Sequence, residues 1–192
     1  MANELYHALR DAGEYYAAEL VVNTDRSPLY RYSRAAAAFF EHTPLTPYDG
    51  GRLYPCGAVP ANNAGNASVC VKPEFSYTYS ANLGRLSEKV PEAAKLLAKE
   101  FSQVAPIRTP HTVGGAGYTH SFINFRRILA DGLRGYRARV ERLPDGDFRG
   151  AMLVLLDGIE IFRRRCLAYL EESGAPAELT AALNALTEKE GN

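Results

Sequence analysis

The residues best suited to chemistry are His111 and His120, which bracket the run Thr112-Val-Gly-Gly-Ala-Gly-Tyr-Thr119. Gly114, Gly115 and Gly117 permit backbone angles that other residues avoid, and they let a ligand approach the main chain closely. His120 then falls at the entry to a helix, where its imidazole can face whatever the loop cradles and helix-terminal N–H groups can meet an anion. An imidazole titrates near neutrality, so it can hydrogen-bond a substrate or move a proton. The competing reading is a flexible connector whose histidine caps or packs. The glycine spacing is not GxGxxG and no strand–helix–strand unit surrounds it, which argues against a dinucleotide site.

The other histidines read as structural. His7 lies on a surface helix, and His42 at a helix end, where a cation suits the dipole. No HExxH pattern is present, and Cys56, Cys70 and Cys166 form no CxxC, so the sequence points to no metal. Cys166 falls on an apolar helical seam, the ordinary place for a small buried hydrophobe.

Three zones position these residues. Residues 3–42 read as helical: Leu5, Leu9, Tyr16 and Leu20 recur at helical spacing, a break follows at 23–28, and Arg34 to Glu41 resume with good helix formers. Residues 43–83 hold Pro44, Pro47, Pro55, Pro60 and Pro73 among many Gly and Asn, so they read as irregular with at most a few short strands at 50–75. A connection this long in a compact domain is usually functional or covered by something else. Residues 84–190 read as helical again. Pro91 suits a first helical position. Phe122, Phe125, Leu129, Leu133, Tyr136 and Val140 make one amphipathic face, and Phe148, Met152, Leu155, Ile159, Phe162, Cys166 and Tyr169 another. Pro144-Asp-Gly146 joins these two segments, which should pair antiparallel, with Leu129, Leu133, Met152, Leu155 and Ile159 deeply buried. The expected fold is mainly α.

Composition narrows the function. The 192 residues carry 22 basic and 22 acidic side chains, a formal charge of zero. That argues against a chain that coats nucleic acid or binds a membrane surface through basic residues. No apolar run approaches the roughly 20 residues of a membrane span. The N-terminus has no secretory pattern. These features together suggest a reducing, cytoplasmic setting.

The run from Thr112 through His120, Asn124-Phe125 and Arg127-Ile128-Leu129 to Gly135 resembles the N-terminal region of the glycyl radical enzymes, the pyruvate formate-lyase-like family. Those proteins carry a Gly-x-Gly-His-type loop, an acidic–aromatic pair, a Lys-Val-Leu and a helix that ends in a Gly-containing step. Val71-Lys-Pro-Glu-Phe-Ser76 is similar to their Phe-Pro-Glu-Phe-Ser segment, and Leu53-Tyr54-Pro55-Cys56-Gly57 to the strand before it. Residues 151–169 resemble the helix after the loop.

The resemblance covers residues 30–170 and implies that all 192 residues are the helical N-terminal part of an α/β-barrel enzyme, a lyase or dehydratase of anaerobic metabolism. It implies His120, with Tyr118 and His111, as substrate-binding residues on the loop of Gly114, Gly115 and Gly117, with Asn124 replacing the usual acid. It also implies a glycyl radical installed by a radical-SAM activating enzyme, which this chain does not itself bind. The implied partners are the remainder of the barrel, the activase and a small-molecule substrate. None of the three cysteines stands in the family's Cys-x-Glu and no Arg-Val precedes Gly117-Tyr118, so the chain is expected to be inactive alone. The alternative is a stand-alone helical binding or structural module descended from that family.

Overall fold

The computed structural model describes residues 2–42, 44–45, 80–108 and 125–188. These form eight helices: α1 (Ala2–Asp11), α2 (Tyr15–Val22), α3 (Pro28–His42), α4 (Ser80–Lys89), α5 (Pro91–Arg108), α6 (Phe125–Glu141), α7 (Asp147–Glu172) and α8 (Ala177–Glu188). No strand occurs among the described residues, so the chain is mainly α. The short strands expected at 50–75 lie outside them.

The helix boundaries follow local chemistry, with two departures from expectation. The face drawn through Leu5, Leu9, Tyr16 and Leu20 is not one helix. Gly13 takes φ 77° and closes α1, its N–H bonding to the Arg10 carbonyl while that of Glu14 bonds to Leu9. This left-handed closure needs a residue without a Cβ. Gly174 (φ 64°) ends α7 in the same way, with Ala175 bonding back to Leu170. The second departure is α4, which starts at Ser80, inside the zone expected to be irregular.

Two apolar clusters organise the packing. The larger joins α1 to α5 through Leu9, Tyr16, Leu20, Val21, Ala35, Leu86, Ala93 and Leu97. α2, with the sequence YYAAELVV, is apolar nearly all round and buried along most of its length, as such a helix must be. The smaller cluster closes α7 on α8 through Cys166, Leu170 and Leu183, with Leu45 packed against it.

α6 and α7 form the expected antiparallel hairpin, joined by residues 142–146 and cross-linked by an Arg137–Asp157 ion pair. The main partner of α7 is nevertheless α3. The two run parallel: Arg26 pairs with Asp147 at 3.6 Å, Tyr30 lies over Gly150, Ala37 against Gly158, and Phe40 against Phe162 with ring centroids 5.4 Å apart. The Arg165 guanidinium then donates to the Phe40 carbonyl at 2.6 Å.

This crowding corrects the expected core. Leu133, Met152, Leu155 and Ile159 are only half-buried, and Phe148 is 57% exposed. The Leu129 side chain lies outside the described set. The enclosed positions on α7 are Ala151, Leu156, Gly158, Cys166 and Leu170. Because α3, α6 and α8 all touch α7, burial is shared around it, and the tightest approach selects the smallest residues.

Candidate functional site

The sequence-derived site residues His111, Gly114, Gly115, Gly117, Tyr118 and His120 lie outside the described residues, as do Cys56 and Cys70. The structure describes the helices on either side: α5 ends at Arg108 and α6 begins at Phe125. α6 is interrupted at Gly132, which takes φ 64° and ψ −174°. The Arg139–Asp131 ion pair spans this step from one side to the other.

Around the end of α3, just before residues 46–79, a polar cluster gathers side chains from three helices. Tyr15 stacks on His42 with centroids 4.3 Å apart. Arg10 places Nη2 3.1 Å from His42 Nε2 and Nη1 3.2 Å from the Tyr6 hydroxyl. Its guanidinium also lies over the Tyr6 and Tyr15 rings. A guanidinium has only donors, so in this contact His42 Nε2 accepts, which assigns the proton of the neutral ring to Nδ1; the Glu41 carboxylate stands 3.6 Å from the same nitrogen.

The electrostatics agree. Burial pulls the His42 pKa below its ordinary value of 6.5, and the charges of Arg10, Arg165 and Arg34 act in the same direction against the opposing pull of Glu41. This corrects the expectation of a cation at the helix end: burial, with three nearby arginines, disfavours the charged imidazole.

Glu19 closes the cluster from below. It is 4% exposed, yet it pairs with Arg34 at 3.3 Å and accepts from Asn23 Nδ2 at 3.2 Å and the Tyr6 hydroxyl at 3.5 Å. Buried carboxylates need such partners. Glu14 is similarly enclosed and meets Lys89 of α4 at 2.9 Å. These groups bond to one another, so the cluster clamps α1, α2 and α3 together where the chain leaves α3. Sequence reasoning missed Glu19, although one carboxylate inside YYAAELVV was the available signal.

Among the described residues no group of three His, Cys, Asp or Glu side chains could hold a metal. His7 is exposed against the edge of Tyr6. No described helix is long and apolar enough to cross a membrane. Comparison with protein-family models, with curated proteins and with solved structures finds no match.

Proposed function

We propose that the chain is the helical N-terminal segment of a glycyl radical lyase or dehydratase, supplying scaffold and, through His120, a pocket residue to a barrel that carries the thiyl cysteine and radical glycine. One observation carries this reading. The run from Thr112 to Gly135, which bears the resemblance, continues into a helix at Phe125 that is interrupted by a positive-φ glycine at Gly132. The family pattern calls for a Gly-containing step in the helix after its histidine loop, and α6 has such a step at Gly132 although it runs on to Glu141. Residues 151–169, the other helical part of the resemblance, lie within α7.

The stand-alone module has an observation of its own. Among the described residues the exposed large apolar side chains are Leu29, Leu96, Phe148 and Ile161, and scattered apolar residues do not by themselves mark a covered face.

Co-expression decides between the two. Where a neighbouring reading frame encodes Cys-x-Glu and a C-terminal Arg-Val-x-Gly-Tyr, it supplies the partner, and its absence favours the module. Stable co-purification, and a glycyl radical signal by electron paramagnetic resonance after anaerobic activation, are the expected results. A chain that purifies alone as a soluble monomer beside that partner is the module.

A further inference from the structure

On the opposite side of α7 from α3, a cleft of about 460 Å³ runs between α6 and α7, lined by Leu133, Arg134, Arg137, Leu156, Asp157, Glu160, Arg163 and Arg164. That volume lies within the range that holds small organic molecules. Four arginines against two carboxylates leave the lining two positive charges in excess, in a chain whose total charge is zero.

The arginines divide into two kinds. Arg163, with an 11% exposed side chain, is committed: its Nε and Nη2 fork onto Glu160 at 2.8 and 2.9 Å, and its Nη1 reaches the Leu183 carbonyl and Asn184 on α8. That fork, with Arg164, holds the Glu160 carboxyl below the usual carboxylate range against the opposing effect of burial. The other three keep donors in reserve. Among the described residues Arg164 bonds Glu160 through Nε and is 72% exposed, and Arg137 bonds Asp157 through Nη2. Arg134 makes no hydrogen bond or ion pair among the described residues.

We infer that this cleft binds a small organic dianion, bearing phosphate or carboxylate groups, between Arg134, Arg137 and Arg164, with Leu133 and Leu156 beneath its carbon body. The excess of two positive charges sets the charge of the ligand. The planar guanidinium donors match both phosphate and carboxylate oxygens. The two leucines supply the apolar floor that a naked inorganic anion does not need. None of the lining residues belongs to the run 111–120, and the chemistry of the cleft does not depend on the lyase reading.

Isothermal titration of the full chain with glycerol phosphate and with succinate, at low ionic strength, separates the two anion chemistries. We expect at least one to bind with a dissociation constant below about 1 mM. The double variant Arg134→Ala, Arg164→Ala weakens it about tenfold or more, with an unchanged melting temperature in the absence of ligand. Arg149→Ala, on α7 but outside the lining, leaves binding as it was. Arg134→Lys with Arg164→Lys keeps the charge and loses the fork, so it falls between. No heat with either anion up to ~10 mM, or equal binding by the double alanine variant, overturns the assignment. Equal binding of the monoanion acetate also overturns it, since the dianion match is then absent.

Discussion

Gly158 and Ala37 meet with no room for a side chain between them: a Cβ on Gly158 would stand 2.6 Å from the Ala37 Cα and 2.8 Å from its Cβ. A helical alanine is ordinarily better than glycine by about 1 kcal/mol. Here a backbone atom blocks it and α3 must move. Gly158→Ala should therefore destabilise by about 1–3 kcal/mol, the usual range for overpacking. A Cβ on Gly84 of α4 would meet nothing within 4 Å, so Gly84→Ala should stabilise by about 0.5–1 kcal/mol. Urea unfolding of both variants gives the two signs, and equal shifts would show that the contact of Gly158 with Ala37 is not tight.

Leu170 is fully buried and closes the contact between α7 and α8. Leu170→Ala should cost about 2–5 kcal/mol. Leu155, half-buried, should cost clearly less on truncation. Thermal denaturation ranks the pair, and the reverse order would move the core back onto the seam of large residues.

Glu19→Ala should cost about 1.5–3 kcal/mol, the range for hydrogen bonds to a charged group. The partially exposed Arg34 can still reach water. A double-mutant cycle with Arg34→Ala should return a favourable coupling, and zero coupling would leave the loss to packing alone.

His42 predicts a pH dependence. Its folded pKa lies below 6.5, so between that value and 6.5 the unfolded chain binds more protons and stability falls as pH falls. The loss begins as pH drops through about 6.5 and is complete below the folded pKa. His42→Gln should reduce the difference in melting temperature between pH 7.5 and 5.5. An NMR titration of His42 with a midpoint above 6.5 would contradict the Arg10 hydrogen bond.

For the proposed enzyme, His120 is the test residue. In the assembled barrel, His120→Ala and His120→Gln should both cut turnover or substrate affinity while leaving the melting temperature unchanged. Unchanged kinetics with a lowered melting temperature would leave His120 as a helix cap.

Local signals carried the helices well. Pro91 opens α5, residues 142–146 turn α6 into α7, and Gly174 with Pro176 separates α7 from α8. Gly13 was harder to see because the apolar spacing of Leu9 and Tyr16 runs across it as though one helix continued. The pairing of α3 with α7 had no sequence signature: it is made by Ala37 and Gly158, residues too small to stand out on an apolar pattern. The clamp around His42 was hidden for a related reason. Arg10, Tyr15, Glu19 and His42 look like ordinary polar residues until three helices bring them together.

The bond from Arg165 to the Phe40 carbonyl spans 125 residues. During synthesis at roughly 5–20 residues per second, α3 leaves the ribosome about 6–25 s ahead of the segment it packs against. Helices α1 to α5 can meanwhile close their own cluster, but the strip of α3 around Ala37 and Phe40 has nothing to lie on. Closing so long a loop is entropically slow to reward. That strip is therefore where a nascent chain is open to a chaperone, or to a neighbouring chain, until α7 arrives.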